Sequence, residues 1–263
     1  GLLVGAAVPV VYLVVDVLRG APSVLNSVLG YSPTVAGRFA GFGNPAYAVL
    51  SSAALVVAVL LHRRLGGGRR GLVAAGLVLG LAIVVDVAPM WGSDVGGILS
   101  MVPAYAIALL VLAGIRLRVR TVAMALGALV AVLVAAVAVD VARPASARTH
   151  LGRLAVDLAH GRTHELSSVV LRKLGDNVAT IGTSILGLAV VAAAVGFVVL
   201  RRTAPERIAA VRAKVPGGRA LDLGMVVLAV LGFATNDSGM AVPGIMMVVY
   251  VATWVQLLEV EAP

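Results

Sequence analysis

The chain reads as an all-α protein, a polytopic transmembrane helix bundle of about eight spans with short amphipathic helices in one long loop. Three observations predict this class. Of 263 residues, 60% are hydrophobic and only 13% are charged, whereas a soluble domain carries about 25% charged residues. Mean hydropathy is +1.05. Apolar runs of roughly 20 residues recur along the chain, long enough to cross a hydrocarbon core of about 30 Å. Lipid offers no partners to free backbone groups, so such runs become helices. They lack the alternation that a membrane β-barrel requires.

The spans predicted are 1–18, 46–61, 71–88, 98–115, 121–139, 181–200, 221–235 and 240–258. Together they form a single integral membrane domain over 1–263. The seventh run is short enough for a half-helix or re-entrant segment. Gly1 stands where an initiator Met would, which leaves room for processing or for a longer protein. The first run has no basic leader region and no cleavage pattern, so it reads as a retained span.

Segment 140–180 is too long for a turn and reads as two amphipathic helices. Leu151, Leu154, Ala155 and Leu158 share one face, and Leu166, Val169, Val170 and Leu174 another. Such helices lie along a membrane interface. Pro205 opens a third short helix over 205–214. Gly1 with Gly5, and Gly76 with Gly80, form GxxxG pairs, which predict close helix packing.

Charge gives the orientation. The formal net charge is +9, and thirteen of the 21 Lys and Arg residues fall in the loops after the second, fourth and sixth spans. Membrane topology explains this pattern without a nucleic-acid partner, because basic loops stay on the cytoplasmic side. Both termini are then cytoplasmic. Cysteine is absent, which excludes disulfide and thiol chemistry.

The unusual sequence lies in the four segments on the other side: 19–45, 89–97, 140–180 and 236–239. Three spans end in Val-Asp-Val, at Asp16, Asp86 and Asp140, each with a proline soon after. The seventh ends at Asn236-Asp237. Each outward-running helix therefore delivers an Asp to the boundary, as four hairpins built on one plan would. An Asp at a helix carboxyl end opposes the dipole. For Asp16 and Asp140, hydration at the boundary is the simplest reason. Asp86, Asp94 and Asp237 sit among Gly, Pro, Trp and Asn, where a buried or ligand-facing role competes equally.

Arg38 lies in the glycine-interrupted stretch Tyr31–Asn44, and its planar fork suits a phosphate or carboxylate. Asn44 and Pro45 start the second span, whose amino end favours an anion. Trp91 through Gly97 leads into the fourth span like a ligand loop, but the spacing and the missing Lys exclude a P-loop. Trp91 also suits an aromatic belt. Asp94, Asp237, Asn44 and Asn236 offer hard oxygens for a divalent cation. The Asn-Asp-Ser-Gly run at 236–239 is equally good turn chemistry. His160 and His164 lack an HExxH frame, and Ser167 and Ser168 lack a nucleophile elbow. A zinc site and a serine hydrolase are therefore disfavoured.

Tyr31–Asn44, Asp86–Gly97 and Asn236–Gly239 together resemble the membrane region of poorly characterised bacterial polytopic proteins. Some of these carry an alkaline-phosphatase-superfamily assignment. The resemblance implies a bacterial inner membrane location and places any such hydrolase domain before Gly1, with this chain as its membrane partner; it transfers no catalytic residue. The expectation is an extracytoplasmic polar site for an anionic, lipid-linked substrate of cell-envelope assembly. Arg38, Asn44, Asp86, Trp91 and Asn236 would bind it, and Asp94 and Asp237 would act as base or metal ligand. Two rivals stand beside it: a cation-coupled transporter or channel, and a non-catalytic scaffold paired with a protein partner.

Overall fold

The computed structural model describes every residue except 25–26, 28, 31–41, 89, 93, 149, 162–174, 176 and 261–263. Arg38, Tyr31 and the second predicted amphipathic helix lie outside the described residues. Among those described, the fold is all-helical with no strand. The helices are α1 (Leu2–Leu18), α2 (Asn44–Arg64), α3 (Gly68–Val87), α4 (Val95–Leu112) and α5 (Val119–Val141). After them come α6 (His150–Ala159), α7 (Ile185–Thr203), α8 (Pro205–Lys214), α9 (Gly218–Thr235) and α10 (Ala241–Val260).

Six helices, α2, α3, α5, α7, α9 and α10, are long and apolar enough to cross a membrane. Helix α1 and the apolar part of α4 are slightly shorter. The chain is a multi-pass membrane protein. Helix α9 has 18 residues, about 27 Å at the usual rise, so its length does not single it out as a half-helix. The predicted sixth span begins too early. Ser184 breaks the helix that covers 177–183, and its side chain accepts the Gly187 N–H at 2.9 Å to start α7.

Helix α2 is the centre of the bundle. It packs on α1, α3, α9 and α10, and its composition explains why. Ala46, Ala48, Ser51, Ser52, Ala53, Ala54 and Ala58 are all buried, and small side chains let neighbouring backbones approach. The Ser52 hydroxyl returns to the Ala48 carbonyl at 2.5 Å, so it costs the core no unmet polar group. Helix α9 packs most closely on α4. By contrast, α5 and α7 bury almost none of their apolar surface.

The GxxxG pairs do not lie at interfaces. A Cβ at Gly1, Gly5, Gly76 or Gly80 would meet nothing within 4 Å. The close approaches occur at isolated glycines instead. A Cβ at Gly224 of α9 would stand 3.0 Å from Leu55 Cδ2 and 3.2 Å from Ala108 Cβ. Spacing alone marks a potential face; which face is used depends on the partner helix. Gly224→Val is therefore expected to lower unfolding free energy by about 1–3 kcal/mol through overpacking. Gly76→Ala should stay within about 0.5 kcal/mol of wild type. Unfolding of the purified variants in detergent checks both.

Candidate functional site

All the sequence-predicted site residues that the structure describes lie at one end of the bundle. Three basic loops, 63–70, 113–120 and 201–219, lie at the other. The aspartate end is assembled by helix termini. Helices α1, α3, α5 and α9 finish there, and α2, α4 and α10 begin there.

The three Val-Asp-Val aspartates perform related tasks. The Asp16 carboxylate accepts the backbone N–H groups of Ser23 and Val24, each at 3.0 Å. The Asp140 carboxylate accepts the Gly152 N–H at 2.7 Å and pairs with Arg143 at 3.2 Å. It thereby sits at the start of α6, where a negative charge is favoured. Hydration at the boundary is the wrong account of both residues, since Asp16 is 5% exposed and Asp140 0%. Each carboxylate folds the chain that follows it back onto the helix it ends.

Asp86 does this in the interior. It is fully buried, and its carboxylate lies directly over Gly97 in the first turn of α4, in space that a Cβ there would occupy. Its backbone carbonyl accepts the Asp94 N–H at 3.0 Å, and Gly92 N–H reaches the Val85 carbonyl at 3.0 Å. The loop after α3 is therefore pinned to the last turn of α3. Phe42 N–H donates to the Gly92 carbonyl at 3.1 Å, which brings the segment before α2 to the same place. Asp94 is the N-cap of α4, accepting the Gly96 N–H at 2.9 Å. Capping of this kind satisfies one of a helix's orphan donors.

Asn236 and Asp237 close the site from α9. Asn236 is buried, and its amide packs on Gly96, where a Cβ would stand 2.9 Å from Oδ1. The Thr235 hydroxyl lies 3.2 Å from the Gly96 carbonyl. The buried Asn44 side chain donates to Asp237 Oδ1 and lies 2.6 Å from both that atom and Ser238 Oγ. Asp237 itself is exposed. Five predicted residues thus meet: Asn44 with Asp237, and Asp86 with Asp94 and Asn236 around the first turn of α4. Trp91 belongs to the same loop, but its half-buried ring packs on the hydrophobic core, which explains the residue without a ligand. Arg38 lies outside the described residues.

Among the described residues, no three carboxylates or imidazoles converge as a metal site would need. His160 lies on the surface, its Nδ1 2.6 Å from the Val156 carbonyl.

Several residues escape a reading of the sequence. Asn177 Nδ2 donates to the carbonyls of Phe233 and Asn236, both at 2.7 Å, and so holds the carboxyl end of α9. Thr180 Oγ1 accepts the Met240 N–H at 2.9 Å before α10. Neither shows any local signal beyond a polar residue ahead of an apolar run. At the arginine end, Asp222 pairs with Arg212 at 2.9 Å and accepts Tyr250 Oη–H at 2.7 Å and Trp254 Nε1–H at 3.2 Å. The i, i+4 spacing of Tyr250 and Trp254 is the only hint, since residues so spaced share a helix face.

Comparison with family models, with curated proteins and with solved structures returns no significant match. The functional reading therefore rests on geometry.

The capping role of Asp94 is separable from chemistry. Asp94→Ser should keep most of the stability because Ser also caps, whereas Asp94→Ala should lose about 1 kcal/mol. Thermal unfolding of the two variants, read against ligand binding, distinguishes a cap from a reacting group.

Proposed function

We propose that the aspartate end is an extracytoplasmic site for an anionic, lipid-linked substrate of cell-envelope assembly, which it binds, transfers or translocates. The observation that carries the reading is the pairing of Asn44 with Asp237. It holds one exposed carboxylate at the amino end of α2, next in sequence to Asn236, which packs on the first turn of α4.

Helix α2 begins at Gly43 without a side-chain cap; Pro45 has no N–H and the Leu29 carbonyl takes the Ala46 N–H at 3.1 Å, so what favours an anion there is the helix dipole. Asn44 fixes the orientation of Asp237, as a positioned general base requires. Asp94 and Asp86 are buried, so they support the first turn of α4 and do not meet a substrate directly. Arg38 takes the part of anion clamp on its chemistry alone. The exposed apolar flanks of α5 and α7 give the substrate's lipid portion, and the surrounding bilayer, a surface to run along. The arginine-rich loops support an outward orientation for the aspartate end.

Native mass spectrometry of protein extracted gently from its membrane tests the reading. Wild type is expected to carry a phosphate-bearing lipid adduct that Arg38→Ala and Asn44→Ala/Asp237→Asn both lose. Identical adducts in all three proteins would sink it.

One observation favours a second reading, cation-coupled transport. Asp86 is fully buried at the end of α3, and Asp94 is 5% exposed, and carboxylates held inside a bundle are common in ion pathways. Proton- or sodium-dependent uptake into proteoliposomes, abolished by Asp86→Asn, would select it.

A further inference from the structure

The opposite end of the bundle holds a cleft of about 850 Å³, within the size range of small-molecule sites. It opens between the turn after α2, the turn after α4 and the start of α9. We propose that this cleft binds a phosphate group, carried by an anionic phospholipid headgroup or by a soluble phosphate ester, and held by Arg63, Arg116 and Arg219.

Four observations converge on it. First, three arginines line one cleft, Arg63 in the last turn of α2, Arg116 in the loop after α4 and Arg219 in the first turn of α9, and among the described residues no acidic one lines it. A guanidinium fork matches phosphate oxygens in pairs. Secondly, the buried carboxylate nearest the cleft is already engaged. Asp222 pairs with Arg212, outside the lining, at 2.9 Å. Among the described residues, neither Arg116 nor Arg219 is ion-paired to a carboxylate.

Thirdly, His62 lines the cleft, and its Nε2 is buried without a hydrogen-bond partner among the described residues. Buried polar atoms nearly always have one; a ligand oxygen or a protonated phosphate would supply it. Fourthly, α9 begins at the cleft. Its N-cap, Gly217, adopts a left-handed φ of 86° and packs against Val59 and Leu112. A side chain there would be strained; the Gly218 and Ala220 N–H groups already donate to the Val215 and Gly217 carbonyls, and the positive end of the α9 dipole favours an anion in the cleft. The remaining wall is apolar, from Val111, Leu112 and Ile115, which accommodates the glycerol and first methylenes of a lipid as readily as the carbon skeleton of an ester.

A blander account is that these arginines only mark the cytoplasmic side. It predicts that any arginine pair at this end contributes equally, and the test is built on that difference. The full chain is purified in neutral detergent, and its thermal unfolding is followed during titration with phosphatidylglycerol in mixed micelles, with phosphatidylcholine as the zwitterionic control. A separate arm titrates inorganic pyrophosphate without added lipid.

The expected result is a rise in Tm with phosphatidylglycerol or with pyrophosphate, but not with phosphatidylcholine; which of the two acts identifies the source of the phosphate. Arg116→Gln/Arg219→Gln should weaken that effect by about tenfold or more. Arg201→Gln/Arg202→Gln, which removes the same charge at the end of α7 outside the cleft, should leave it unchanged. Equal weakening by the two pairs, or no rise in Tm with either probe, overturns the proposal. Arg116 is exposed in an irregular loop, so the single Arg116→Gln variant gives the same comparison if the double variant does not fold.

Discussion

The aspartate end depends on one contact, the Asp86 carboxylate lying over the first turn of α4. Moving a carboxylate out of water is expensive, several kcal/mol even after relaxation. The amino terminus of α4 offsets part of that cost, because a helix start concentrates positive partial charge and free N–H groups. The same placement requires glycine at position 97, since any side chain would occupy the carboxylate's space. It also pulls the loop after α3 tight, so that Asp94 becomes the cap of α4. From there Gly96 receives Asn236, and through Asn236 and Asp237 the end of α9 meets the start of α2.

The other aspartates follow the same physical logic with different partners. A helix that stops at a membrane boundary leaves carbonyls and the next segment's N–H groups in a region short of water. A carboxylate at the last turn can collect those N–H groups. Asp16 does so for the chain seven and eight residues later, and Asp140 for the first turn of α6. At Asp16 and Asp140 the Val-Asp-Val ending is thus one device used twice, with a short loop and an interfacial helix as its outcomes, while at Asp86 the backbone carbonyl takes the Asp94 N–H and the carboxylate lies over the start of α4. The shared device accounts for the recurring tripeptide without requiring that the hairpins descend from one ancestor.

The two ends of the bundle are chemically unlike, and the difference bears on how each meets a ligand. At the aspartate end the charged groups are mostly turned inward and consumed by backbone, so among the described residues the surface left to a substrate is narrow and centres on the exposed Asp237. At the arginine end the guanidiniums stay outside the packed core and surround a cleft. Lysine and arginine have long stems that keep their charge at an interface while the stem packs; aspartate, with one methylene, must either face water or be paired inside.

Most of the fold is legible in the sequence, because a hydrophobic run of span length is a local property and lipid leaves the backbone one economical solution. The eight apolar helices among the described residues, six of them long enough to span a membrane, and the short helix at 205–214 follow from composition and run length. The candidate site is legible in part. Residue type picked out Asn44, Asp86, Asp94, Asn236 and Asp237, because polar groups beside apolar spans need a reason. What each one does was decided by tertiary structure. Asn44 and Asp237 meet across 193 residues of chain, Asn177 and Asp222 find their partners only once α9 and α10 are in place, and the GxxxG pairs face away from every neighbour. Helix spans arise from contacts within a few residues, whereas hydrogen-bond partners and helix faces depend on which helices pack together, and periodicity carries no information about that choice.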